Sequence, residues 1–253
     1  MRLSPFGPID AVLAPAPDEK RVAGLVRIPF AHRGLHGSGR VENSRAAFEA
    51  AIAAGHGIEL DVQASADGEA FVIHDEELGR LTGQQGAVAM RTASELRSIG
   101  LTGTGEMVGP LTDTLRFIAS RVPVLIELKA RGRRVGGLCL AVFRALEGYR
   151  GPVGVMSFNP EVGRWFARHA PRIARGLVVT ESGKRRMRGR LERHLALWRS
   201  KPDFLAYDIR DLPSRFAAAQ RRRGLPVLTW TVRSEAERAR AAAHADQIIY
   251  ETP

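Results

Sequence analysis

Two short apolar runs carry charged groups at alternate positions. Gly57-Ile58-Glu59-Leu60-Asp61-Val62 sets Glu59 and Asp61 two residues apart, and Val124-Leu125-Ile126-Glu127-Leu128-Lys129 does the same for Glu127 and Lys129. Residues i and i+2 of a strand share a face, so each pair points to one side while Ile58, Leu60, Ile126 and Leu128 occupy the other. Charges set in strands this apolar are costly unless something binds them. Three carboxylates and one ammonium placed this way point to a metal ion and a bound anion. Two more polar groups end apolar runs: Ala31-His32-Arg33-Gly34 and His74-Asp75. Singly, each has a plainer reading. A histidine can be a surface or satisfied core residue, Glu59 with Lys129 a structural ion pair, and Asp75 a turn or cap residue. Their joint placement at strand ends is the more specific signal.

The elements that must position these residues follow one rhythm, an apolar run, a turn and then an alanine-rich helical pattern. Eight strands are expected near 27–32, 57–62, 123–128, 153–157, 174–179, 203–208, 225–231 and 245–250. Helices are expected over 44–54, 112–121, 136–146, 160–169, 213–223 and 234–243. Strands alternating with helices imply a parallel sheet. Eight such units in 253 residues imply an α/β fold of the (β/α)8 TIM-barrel type, which typically takes about 250 residues. In such a barrel the strand C-termini meet at one mouth, so His32, Glu59, Asp61, His74, Glu127 and Lys129 are expected to converge. No G-x-G-x-x-G follows the first strand, which removes support for a dinucleotide fold. The rhythm breaks over 68–110, where a hairpin-like strand (Glu69–His74) leads into a polar, Gly- and Thr-rich segment. This reads as an insertion on the active-site face, a lid or substrate wall. Residues 1–27 read as an N-terminal extension covering the barrel bottom, and the whole, 1–253, as a single domain.

Composition bounds the function. Hydrophobic content of 44% and charged content of 26% are ordinary for a globular protein. There is no apolar run of about 18 residues to span a bilayer, and the proline-containing N-terminus does not read as a secretory signal. One cysteine, Cys139, rules out an internal disulfide and a cysteine-cluster zinc site and fits a reducing cytoplasm. The net charge of +11 favours anionic partners: phosphates, nucleic acid or an acidic membrane surface. Most basic residues are arginines, so part of that charge is equally a compositional habit. Lys184-Arg185-Arg186, Arg188, Arg190 and Arg193 read as the solvated face of a helix or loop. They lack the interleaved aromatics of a single-strand nucleic-acid platform. Arg131, Arg133 and Arg134, just after the third strand, could steer anionic substrates to the mouth.

The chain resembles the glycerophosphodiester phosphodiesterases. The resemblance rests on His32-Arg33-Gly34, Glu42-Asn43, Ala47-Phe48, Ala50-Ala51, Glu59-Leu60-Asp61-Val62, Asp67-Gly68, His74-Asp75, Leu78, Arg80-Leu81-Thr82-Gly83, Pro110-Leu111, Glu127-Leu128-Lys129 and Thr229-Trp230-Thr231-Val232. It runs from about Pro29 to the C-terminus. It departs in the glycine-containing loop His36–Arg40, at Arg233, and in the ending after Ile248. The resemblance implies that Glu59, Asp61 and Glu127 hold one divalent cation, and an all-carboxylate set suits Mg²⁺ or Ca²⁺. It implies His32 and His74 as the acid/base pair, since histidine titrates near neutrality, with His32 favoured as base and His74 as acid, or with His74 approaching the metal instead. Arg33 and Lys129 would hold the phosphate. Trp230 would pack against the alcohol moiety or belong to the core. Glu42 and Asn43 would orient the first loop, Asn43 having the alternative of a helix N-cap. The implied reaction is hydrolysis of a small-molecule glycerophosphodiester to sn-glycerol 3-phosphate and an alcohol, by water or through the glycerol 2-hydroxyl. A phospholipase D-like action on lysophospholipids is the alternative enzyme reading. A noncatalytic binder of anionic surfaces is a third, with no use for the two histidines. Nucleic acid is not an expected partner; weak contact with an anionic membrane surface is.

Overall fold

Apolar runs rich in Val, Ile and Leu become strands, and alanine-rich amphipathic stretches become the helices between them, in the computed structural model, which describes residues 6–184 and 186–252. In chain order the elements are α1 (Gly7–Leu13), α2 (Glu19–Val22), β1 (Phe30–Ala31), α3 (Arg45–Ala53), β2 (Gly57–Ala64), β3 (Ala70–Val72), α4 (Gly79–Thr82), α5 (Ala93–Arg97), α6 (Leu111–Ile118), β4 (Val124–Leu128) and α7 (Gly136–Ala145). There follow β5 (Val153–Ser157), α8 (Pro160–His169), β6 (Ala174–Val179), α9 (Met187–Ser200), β7 (Phe204–Asp208), α10 (Arg215–Arg222), β8 (Val227–Val232), α11 (Glu235–His244) and β9 (Gln247–Tyr250). Short 3-10 turns lie at Ala23–Leu25, Val88–Met90 and Ile209–Asp211. All eight expected strands are present, the first shortened to two residues. Of the N-terminal extension, residues 1–5 lie outside the described residues, as do Arg185 of the basic segment and Pro253.

One compact unit spans Phe30–Pro152. In it β1 runs parallel to β2, β2 parallel to β4, and β3 turns back antiparallel to β2. The register pairs Glu59 with Leu125 and Asp61 with Glu127, and it is this offset that brings the acids of two strands together. Gly57 opposite Phe30 is obligatory, because a Cβ there would lie 2.6 Å from the Phe30 ring. The segment after β3 differs from the polar wall expected over 68–110. It builds its own core from Phe71, Ile73, Leu78, Val88, Leu96, Leu101 and Val108, all buried. Apart from the Ala70–Ile73 run and the short run Ala87-Val88-Ala89-Met90, its core residues stand singly, so little announces them in sequence. Thr92 starts α5 with a reciprocal capping box to Glu95. Glu106 reaches from the segment to accept from the backbone N–H groups of Arg45 and Ala46, placing a carboxylate at the positive end of α3.

The other unit joins the described N-terminal residues to 153–251. Here β5 to β9 lie side by side in chain order, all parallel. The basic stretch begun at Lys184, read above as the solvated face of a helix or loop, continues as the helix α9. Its Arg- and Gly-rich start hides the helical period. The N-terminal extension packs on the helices of this unit through Asp10, which is fully buried. Asp10 Oδ1 accepts from Trp198 Nε1 at 2.7 Å and lies 2.8 Å from His194 Nδ1, and Oδ2 accepts from Gln220 Nε2 at 2.8 Å. Arg223 donates to the Asp10 carbonyl at 2.8 Å. None of the described helices is long and apolar enough to cross a membrane.

Removing the Asp10 carboxylate leaves His194, Trp198 and Gln220 without their shared partner. Asp10→Ala is expected to cost about 3 kcal/mol of stability. A urea titration reads this as a lower midpoint with an unchanged slope.

Candidate active site

The strand rule delivers the acids as expected. Glu59, Asp61 and Glu127 are 1%, 0% and 7% exposed, and one oxygen of each lies within 4.8 Å of the others. Two cations stand against them. Lys129 Nζ, one residue past β4, is 2.8 Å from both Asp61 Oδ1 and Glu127 Oε1. Arg33 lies just past β1 with φ at +55°, a left-handed turn that sends its backbone N–H to Glu59 Oε2 (3.1 Å) and its Nε to Asp61 Oδ2 (3.2 Å). His32 Nε2 is 3.9 Å from Glu59 Oε2. The two cations do not serve the acids equally. Burial, reinforced by Asp61 and Glu127, pushes Glu59 well above the usual carboxylate range. Burial also raises Glu127, Lys129 opposing it. At Asp61 burial works the same way but Lys129, Arg33 and His74 overcome it, leaving the group below its ordinary value.

Whether this set suits a divalent ion is decided by Glu59. Its Oε1 is buried and accepts no hydrogen bond, although buried acceptors are almost always satisfied. That orphan oxygen belongs to a cluster of three hard oxygen donors, the ligand chemistry of Mg²⁺ and Ca²⁺ rather than of softer metals. The residues therefore fit a divalent cation, and its charge would relieve the repulsion that raises Glu59.

His74 follows β3 and is held from both sides. Gln63, on the same face of β2 as Asp61, donates to the backbone carbonyls of His74 (3.0 Å) and Asp75. The Asp75 carboxylate meets His74 Nδ1 at 2.7 Å. Arg80 donates to Asp75 through Nε, and through both terminal nitrogens to Glu42 at 2.7 and 2.9 Å. Glu42 in turn accepts from Arg33 at 2.8 Å. Its hydrogen bond to Arg80 takes the Asp75 pKa down to about 2, so Asp75 is an anion throughout the neutral range. One arginine thus ties the histidine loop to the loop that carries Arg33.

Asn43 is not the helix cap. Ser44 caps α3 by accepting from Ala47 N–H. Asn43 is buried at φ +57°, and its amide donates to Asp61 Oδ2 at 3.1 Å. Glu42 and Asn43 thus tie the first loop to Arg80 and to Asp61. Trp230 lies on β8 of the other unit, half-buried, with Nε1 donating to the Ala206 carbonyl at 2.9 Å and its ring edge-on to exposed Phe158. Arg233, a departure from the family pattern, pairs with Glu251 at 2.6 Å. Of the residues after β4, Arg131 pairs with Glu76, while Arg133 and Arg134 are exposed. Residue-type reasoning passed over Gln63 and Arg80. Gln63 was open to the i+2 rule from Asp61. Arg80 stood in a quoted motif, but nothing local gives a guanidinium 38 residues from Glu42 a partner there.

Comparison with known proteins places this geometry. A protein of Bacillus subtilis named YqiK, itself uncharacterized, is 34% identical over 162 residues, 60% of this chain and 66% of its own. A glycerophosphodiester phosphodiesterase of Bacillus altitudinis is 38% identical over 109 residues, 40% of this chain and 44% of its own. The matched part is thus less than two thirds of either relative's length. An Oleispira antarctica phosphodiesterase, solved with sn-glycerol 3-phosphate, superposes with a TM-score of 0.78 at 21% identity, covering 90% of this chain and 94% of that one. That likeness shows the fold, a (β/α)8 barrel. The model of the glycerophosphoryl diester phosphodiesterase family matches residues 32–253, and the chain belongs to that family.

Proposed function

We propose that this protein is a divalent-metal phosphodiesterase that hydrolyses glycerophosphodiesters to sn-glycerol 3-phosphate and an alcohol. The observation that carries the reading is the buried triad Glu59, Asp61 and Glu127 set against Lys129 and Arg33, with His32 beside it and a carboxylate-backed His74 close by. The family match and the product held by the Oleispira antarctica relative support the substrate class. The whole chain, 1–253, acts as one barrel domain with 68–110 as the insertion on its active-site face. The lone cysteine, buried with its thiol pushed up to about 12, suits a reducing cytoplasm.

Glu59, Asp61 and Glu127 would hold Mg²⁺ or Ca²⁺. When bound, the ion supplies positive charge against the developing charge on phosphorus. Arg33 and Lys129 add donors aimed at the phosphate oxygens. His32 takes the proton of the attacking hydroxyl as the new P–O bond forms. His74 gives a proton to the departing alkoxide as the old P–O bond breaks. Asp75 holds the His74 ring in place through Nδ1. Arg80 acts as a positioning residue. It keeps Asp75 ionised and joins the acid's loop to Arg33 through Glu42. Trp230 packs against the alcohol side of the substrate.

The direct test is release of sn-glycerol 3-phosphate from glycerophosphocholine and glycerophosphoethanolamine, with Mg²⁺, with Ca²⁺ and with EDTA. Release with a metal and none with EDTA is the expected outcome. No release from folded protein, or turnover of lysophosphatidylcholine alone, would sink the assignment.

Metal binding has a readout apart from turnover. Mg²⁺ or Ca²⁺ should raise the melting temperature of the parent protein by mass action. In Glu59→Gln the increment should vanish, and activity with it. An undiminished increment in the variant would remove Glu59 from the ligand set.

For Arg80→Ala, a fall in kcat of about 10- to 100-fold is expected, the usual cost of losing a group that orients a catalytic residue. KM should change little, and added methylguanidine should restore part of the rate. Loss of rate without rescue, accompanied by a lower melting temperature, would make Arg80 structural only.

A further inference from the structure

The exposed apolar side chains are not scattered. Among the described residues ten large hydrophobic side chains are exposed, and six of them lie on two helices that pack together: Ile9, Val12 and Leu13 of α1, and Met187, Leu191 and Leu195 of α9. Asp10 holds the pair in place by facing inward to His194 and Trp198, which turns its neighbours Ile9 and Val12 outward. On α9 the three apolar residues are four apart and so form one stripe. Met187 is 71% exposed and Val12 79%. Scattered exposed apolar residues are normal, but a contiguous group rimmed by polar ones marks an interaction surface.

The rim is basic. Arg186 precedes the helix, Arg188 and Arg190 are exposed on it, and Arg199, also exposed, pairs with Glu161. The helix carries one carboxylate, Glu192, which is shared between Arg188 (3.1 Å) and Lys184 (3.6 Å). The loop ahead of α9 is seated firmly, since the buried Arg193 donates to the Lys184 carbonyl at 3.0 Å and pairs with Glu181 at 3.3 Å. Gly189 permits this approach, because a Cβ there would meet the same carbonyl.

We propose that α1 and α9 together form an interfacial docking face for anionic phospholipid bilayers. An apolar stripe flanked by arginines is the pattern of helices that lie in the membrane interface. The apolar side chains would enter the headgroup–acyl boundary while the arginines reach up to anionic headgroups. A second copy of this chain is a poorer occupant, because two such basic faces would repel each other. Single-stranded nucleic acid is poorer too, since exposed aromatic rings are absent from the face. The proposal does not depend on the hydrolytic reading. Were both correct, the protein would work where deacylation of phospholipids supplies its substrate.

The test is co-sedimentation of the full chain with large unilamellar vesicles, of phosphatidylcholine alone or of phosphatidylcholine mixed with phosphatidylglycerol. Binding to the mixed vesicles should be at least about tenfold stronger, and weaker in high salt. The double variant Leu191→Gln, Leu195→Gln should lose about tenfold on mixed vesicles. Arg188→Gln with Arg190→Gln should lose a similar factor there and nothing on neutral ones. Unchanged melting curves would show that the variants are folded. Equal binding to both vesicle types, or binding indifferent to both variants, would overturn the proposal. So would a dimer abolished by the leucine variant, or tighter binding of polyuridylate than of mixed vesicles.

Discussion

Everything in the candidate site follows from forcing three carboxylates into a space that excludes water. Two strands in the register that sets Asp61 opposite Glu127 leave no alternative, and the i, i+2 rule adds Glu59 to the same face. Repulsion and burial must then be offset by whatever positive charge the chain can deliver. Lys129 is delivered by the end of β4 and Arg33 by the turn after β1, and they favour Asp61 over its neighbours. Glu59 is left with an oxygen that no protein group satisfies. A group so placed is expensive unless a cation completes it. In this sense the fit of the three acids to a cation is set by the backbone register before any ligand is considered.

A second set of charges supports the first. Arg80, Asp75 and Glu42 touch none of the three acids, yet they fix the loops that bring His74 and Arg33 to them. Their bonds lie in one continuous run from His74 Nδ1 to the Arg33 guanidinium. Exposed ion pairs are weak individually. A planar guanidinium shared between two carboxylates is better organised, because one rigid group satisfies several acceptors in fixed geometry.

How much of this was legible in the sequence depended on range. The strands showed in their β-branched runs, and the acids of the site in their alternate spacing, because both signals are local. The core of the insertion stayed unseen because much of it is assembled from single residues such as Leu78 and Leu96, each between glycine or charged neighbours. Helix α9 was read as the solvated face of a helix or loop, its apolar positions masked by arginines. Arg80 and Asp10 were invisible for a different reason. Each acquires its meaning from partners far away in the chain, Glu42 in one case and His194, Trp198 and Gln220 in the other. Asn43 shows the same limit on a small scale, since only the fold decides whether it or Ser44 caps α3.

The private core of the insertion has a consequence for how the protein would fail. Seven buried apolar side chains and the Thr92–Glu95 capping box give 68–110 a core of its own, and a segment of that kind can open at lower free energy than the whole. That segment holds Arg80 and Asp75, and with Glu106 it also reaches α3. Opening it would cut the support of His74 while β2 and β4 stay paired. Heat inactivation and global melting would then be separate events, the first arriving at the lower temperature and reversing on cooling.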